Sequence, residues 1–143
     1  MKFVGYGKLY EAGRELMHHG PHITSDMLED IVQASPQTIP VLNEYLGHAP
    51  MGPEKVIGRA ELFVEGDFIT TKITFNERWR KAYESLLQCN SCRKRHRLGF
   101  VMRHCLTDAD TNELKSGIFT YVALSQSSVG GMIEKFGWEE EKG

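Results

Sequence analysis

Cysteine is scarce in this chain: three in 143 residues, an odd number that gives no paired framework of the kind that staples small secreted domains. An apolar leader is missing too, since Met1 to Tyr10 mixes Lys2, Lys8, Gly5 and Gly7 with aromatics where a signal peptide carries an unbroken apolar stretch. The two absences point to a reducing cytosol, and neither a disulfide nor a bound metal is expected. No apolar run approaches the roughly 18 to 20 residues that a membrane span needs, so a soluble protein is expected. A dominant charge sign is also lacking. With a net charge of −2 and a pI near 6.3, nothing draws the whole chain to nucleic acid or to an anionic membrane. No internal repeat and no second domain are visible, and residues 1–143 read as one domain, long enough to bury a core without staples.

What is present is a succession of strand patterns interrupted by two helical ones. Phe3, Val4, Tyr6, Leu9 and Tyr10 around Gly5 and Gly7 predict a first strand over Lys2 to Tyr10. Glu11 to Pro21 has no apolar period and reads as a loop, with His18, His19 and His22 clustered near Pro21. Ser25 or Asp26 is placed to cap a helix carrying Met27, Leu28, Ile31 and Val32; Glu29 completes a capping-box pattern from Asp26, and Pro36 stops the helix. Ile39, Val41 and Leu42 predict a short strand within Thr38 to Tyr45, followed by a Pro/Gly-rich excursion from Gly47 to Pro53.

Val56 to Val64 is extended, and the spacing of Ile69, Thr71, Ile73 and Phe75 beyond Gly66-Asp67 argues for a hairpin with one buried face. Asn76 suits the cap of a helix whose Trp79, Ala82, Tyr83, Leu86 and Leu87 recur at i, i+3, i+4, i+7 and i+8. Cys89 to Arg97 is polar and strongly basic. Leu98, Phe100 and Met102 alternate as a further strand, Asp108 to Lys115 makes a turn, and Gly117 to Leu124 is a last strand. A Ser/Gly stretch and a short amphipathic tail with Met132, Ile133 and Phe136 follow. The expected fold class is α+β: about six strands, largely antiparallel, in a sheet or a small closed barrel with two or three packed helices.

Six segments share an order and spacing with one family: Phe3-Val4-Gly5-Tyr6-Gly7, Ile39-Pro40-Val41-Leu42 running to His48, Val56-Ile57-Gly58-Arg59-Ala60, Ala82 to Leu87, Leu98-Gly99-Phe100, and Phe119 to Leu124. In these the chain resembles the prohead (capsid maturation) proteases of tailed bacteriophages and, more distantly, the herpesvirus assemblins. The resemblance implies serine catalysis on scaffold and capsid proteins, with a histidine base and a third residue that orients it. His48 matches the base, with Tyr45 as a rival match; the serine position is occupied by Arg97 and the third position by Tyr121. An arginine cannot attack a carbonyl. The resemblance therefore implies a pseudoenzyme, with His48, Arg97 and Tyr121 as relic positions. Its expected role is in tailed-phage head assembly, as an internal factor or a decoration protein bound to capsid or scaffold protein in the prohead or virion.

Other residues open other readings. Ser91 or Cys92 would restore an active protease with His48 if the match slips through the basic stretch. Cys89-x2-Cys92 with His96 and Cys105 has partial zinc-ligand character and would suit a small zinc-stabilised adaptor, although no second Cys-x2-Cys completes the set. Arg93, Lys94, Arg95 and Arg97 form the expected partner-binding surface, an acidic capsid face being favoured over nucleic acid by the net charge. The edge of the Ile69 to Phe75 hairpin is a second expected surface, for strand addition. No cofactor is called for, and a homo-oligomer is left open.

Overall fold

The computed structural model describes residues 1–17, 19–43, 56–125 and 130–140. In chain order the elements are β1 (Lys2–Glu11), α1 (Ser25–Ala34), β2 (Ile39–Asn43), β3 (Val56–Glu65), β4 (Phe68–Phe75), α2 (Glu77–Gln88), α3 (Asn90–Arg95), β5 (Arg97–Thr107), β6 (Leu114–Ser125) and β7 (Ile133–Glu139). Among the described residues the strands form one seven-stranded sheet, ordered β5-β6-β2-β3-β4-β1-β7. All ladders are antiparallel except that of β2 with β6.

The alternation expected of β4 is realised: Ile69, Thr71, Ile73 and Phe75 are buried and the residues between them are not. β4 joins β3 through Gly66-Asp67, with Glu65 opposite Phe68. Gly66 holds φ at 62°, the left-handed region that the first central position of a type II′ turn demands and that glycine adopts without a Cβ penalty. α2 buries Tyr83 and Leu87, and the Tyr83 ring stacks on Phe75 with centroids 5.0 Å apart. α1 buries Leu28 and Ile31. It is tied to β6 by Ser35, whose hydroxyl accepts the Phe119 N–H at 3.0 Å and donates to the Ile31 carbonyl at 2.9 Å. These side chains form one core with Phe3, Leu98, Phe119 and Ile133, and burying each such side chain contributes about 1.5–3 kcal/mol.

Four expectations are corrected. The sheet has seven strands because the tail forms β7. Tyr6 pairs with Lys135 and Gly7 with Ile133, so Glu134 is an extra, bulged residue. The bulge spaces the inward-facing Ile133 and Phe136 three apart, which hides strand alternation behind a helix-like interval. The sheet is also open, not a closed barrel. Among the described residues β5 meets the approach to β7 near Arg97, by one isolated bridge to Met132 and by the Leu98 N–H donated to Gly131 O at 2.8 Å. Closure requires one tilt and stagger along the whole edge; the outer half of β5 slips register between Arg103 and Leu106 and again before Thr107.

Third, the basic stretch from Cys89 to Arg97, which reads as a loop in the sequence, contains the short helix α3. Fourth, the expected caps act otherwise. α1 is capped at Thr24 with no side-chain cap bond, and the Ser25 hydroxyl donates to Asp67 Oδ1 at 2.9 Å. Asn76 does stand at the cap of α2, but its amide donates to Val56 O at 3.2 Å, fastening the helix entry to β3.

Candidate functional site

Arg97 opens β5 beside β6, which carries Tyr121. In register, however, Arg97 faces Ser125, and Tyr121 faces Val101. The pairing is regular between these points, so Arg97 and Tyr121 lie on one face with Gly99 and Ala123 between them, about 13 Å apart along the strands. They are not brought together. The Arg97 guanidinium donates from Nη1 to Gly130 O at 3.2 Å, at the seam where β5 meets the approach to β7. A groove of about 260 Å³ opens there, with Lys8, Arg14 and Arg97 interspersed with Glu11 and Glu134. The Lys8 ammonium lies 4.3 Å from the centroid of the Phe68 ring. His48 and its rival Tyr45 lie outside the described residues.

The basic run does not form one patch. Arg93 is half-buried; its Nη2 donates to Asn90 Oδ1 at 3.2 Å and its guanidinium carbon lies 5.5 Å from the Phe136 ring of β7, an attraction that docks α3 on the sheet. Lys94 and Arg95 are exposed, and Arg97 turns into the seam groove. The second expected surface is corrected: β4 is paired on both sides, by β3 and by β1, so it has no free edge for strand addition. The end strands are β5 and β7.

The cysteines separate into a pair and an outlier. Cys89 closes α2 and opens α3, and Cys92 is three residues further on, one turn into α3. Cys89 and Cys92 share the turn that opens α3, and Ser91 Oγ lies 3.4 Å from the Cys89 sulfur. Donation from Cys92 and then from Ser91 stabilises the Cys89 thiolate and lowers its pKa to about 7, while the hydrogen bond to Cys89 holds the Cys92 thiol above its usual value. Cys105 is on the exposed half of β5, where partial burial pushes its pKa up. His96 turns its Nδ1 to Cys92 O at 2.8 Å. Among the described residues no three His, Cys, Asp or Glu side chains converge on a point that could hold a metal, so Cys89, Cys92, His96 and Cys105 do not form the quartet of the adaptor reading. Ser91 and Cys92 sit on α3, not on the strand that carries Arg97.

No family model, curated protein or solved structure matches the chain.

One cluster had no sequence signal. Tyr6 of β1 donates its hydroxyl to Glu139 Oε2 of β7 at 2.5 Å, and Lys72 of β4 stands 2.9 Å from Oε1 of the same carboxylate. The hydrogen bonds from Lys72 and Tyr6 lower the Glu139 pKa. Tyr6 is raised by desolvation and then by its bond to Glu139, and Lys72 by its bond to Glu139. Three residues distant in sequence meet because β1 pairs with both β4 and β7, and together they fasten the outermost strand.

Proposed function

We propose that the chain is a non-catalytic binding protein of prohead-protease-like build that seats on capsid or scaffold protein in the prohead or virion of a tailed phage. The observation that carries this reading is Arg97, which stands where the six-segment resemblance places the nucleophile and has its guanidinium bonded to the Gly130 carbonyl. A guanidinium has five donors and no acceptor and stays protonated, so it neither attacks a carbonyl nor takes a proton. Holding carboxylates is what it does well. Exposed Lys94 and Arg95 on α3 extend the positive surface toward an acidic face of the partner, where such charges act chiefly on association rate and register. No helix among the described residues is long and apolar enough to cross a membrane.

The test mixes the purified chain with capsid and scaffold protein and follows sedimentation and gel bands. Co-sedimentation in fixed stoichiometry with both polypeptides uncut is expected. Joint Lys94→Glu and Arg95→Glu substitution should weaken binding about tenfold, near 1.4 kcal/mol, and reduce its salt dependence. Specific cleavage abolished by Ser91→Ala or Cys92→Ala would overturn the reading in favour of a divergent protease, and no binding to either protein would remove the capsid role.

A further inference from the structure

Cys89 and Cys92 are two nucleophilic side chains three residues apart on one turn at an exposed corner, and nothing in the proposed capsid role uses them. We propose that Cys89 and Cys92 form a thiol–disulfide exchange site, with Cys89 as the attacking thiol, Cys92 as the resolving thiol, and small disulfides such as oxidised glutathione as the co-reactant.

Four features of the structure carry this assignment. Cys89 caps α3 and Cys92 lies one turn into it, an i, i+3 placement that sets the two side chains on the same side of one turn, so that a bond between them closes a ring without remote chain movement. Cys89 is exposed to an incoming disulfide and Cys92 is half-covered behind it, which suits the order of attack and resolution. Ser91 Oγ at 3.4 Å adds a third polar group at the attacking sulfur. Arg95 acts on Cys92 as a nearby positive charge and favours the thiolate that resolution needs. Among the described residues no third ligand joins the two thiols, so zinc's four-ligand requirement is unmet, whereas exchange requires two.

The chemistry balances. The Cys89 thiolate attacks one sulfur of RSSR and expels RS⁻, which takes up a proton; Cys89–S–S–R remains. Cys92 then loses its thiol proton, attacks the Cys89 sulfur and expels the second RS⁻. Two thiols of the chain are oxidised, two electrons pass to RSSR, and it departs as two RSH.

Cys105 supplies an internal comparison. A thiol titrating at about 7 instead of the ordinary 9.0 carries about fifty times more thiolate at pH 7. The lower basicity reduces intrinsic nucleophilicity about six- to tenfold over two pH units, leaving a net advantage of about five- to tenfold. Cys105, raised above 9.0 by burial, is slower still.

The experiment treats the reduced full chain with oxidised glutathione at pH 7, blocks remaining thiols and maps the peptides. The expected result is a Cys89–Cys92 disulfide with two glutathiones released per chain, accumulation of glutathione on Cys89 in Cys92→Ser, and little reaction at Cys92 in Cys89→Ser. In the unsubstituted chain, limiting iodoacetamide should label Cys89 at least about five times faster than Cys105, a readout that needs no variant to fold. Equal or faster reaction at Cys105, or a glutathione on Cys89 that Cys92 does not displace, overturns the assignment.

Discussion

Gly130 stands where the two ends of the sheet touch, and Gly130→Ala tests whether that seam matters. A Cβ there would lie 2.0 Å from Leu98 O and 3.0 Å from Leu98 C, with Leu9 O at 3.4 Å. All three atoms are backbone, so no rotamer change relieves the clash, and the first strand residues of β5 must retreat by more than an ångström. That retreat stretches the 2.8 Å bond from Leu98 N–H to Gly131 O and the 3.2 Å bond from Arg97 to Gly130 O out of hydrogen-bond range. Each lost bond costs about 1 kcal/mol. The fully buried Leu98 moves with its backbone and leaves a packing defect of about 1 kcal/mol.

Against this, replacing glycine by alanine narrows the unfolded ensemble and returns about 0.4–1 kcal/mol. The expected net loss is about 2–3 kcal/mol, measured by urea denaturation followed by far-UV circular dichroism. Gly137→Ala is the matched control, since a Cβ at Gly137 meets no atom within 4 Å; its stability should stay the same or rise by up to about 1 kcal/mol. If Gly130→Ala lies within about 0.5 kcal/mol of the unsubstituted chain, or no lower than Gly137→Ala, the seam does not contribute and the reasoning fails.

Phe119 is fully buried and meets Phe100 edge to face at 5.0 Å, so Phe119→Ala should cost about 3–5 kcal/mol in the same assay; a loss below about 1.5 kcal/mol would contradict its place in the core. The Tyr6–Lys72–Glu139 cluster predicts a pH window. The depressed Glu139 pKa makes its contribution present above the ordinary 4.5 and lost as pH falls through the depressed value. The raised Tyr6 and Lys72 pKa values make theirs present below the ordinary 10.0 and 10.5 and lost as pH rises through the raised values. Glu139→Gln should therefore cost about 0.5–1.5 kcal/mol at neutral pH and nothing below the depressed pKa, and equal urea midpoints at neutral pH would dismiss the cluster.

Wherever one face of an element is uniformly buried, its period was legible. β4 alternates as Ile69, Thr71, Ile73 and Phe75 require, and α2 turns Tyr83 and Leu87 inward. Ala82, counted in the same helical stripe, is exposed, because two buried side chains a turn apart suffice to seat a helix lying on three strands. β7 was missed for a different reason. A single bulged residue, Glu134, shifts the phase of its alternation, and a period cannot survive an insertion that only the partner strand makes visible. Sheet order is likewise a pairing property: nothing in Ile69 to Phe75 says that both of its sides are occupied, so a free edge was expected where β1 and β3 close it.

The site divides along the same line. The Cys89–Cys92 spacing was readable because three residues along a chain entering a helix bring two side chains together whatever the rest of the fold does. Membership of Cys105 was not, because it depends on where β5 runs after leaving α3. The basic run illustrates the cost of judging charge by linear density. Five consecutive residues from Arg93 cross a helix end and a strand start: Arg93 folds back on Phe136, Lys94 and Arg95 face solvent, and Arg97 enters the seam groove. Nucleic-acid binding gains with each phosphate neutralised along a track, and two exposed cations with a third set apart give only a short one. A carboxylate cluster on a protein surface needs no longer track than that, so under the proposed capsid role the partner expected at this corner is an acidic protein face and not a polyphosphate chain.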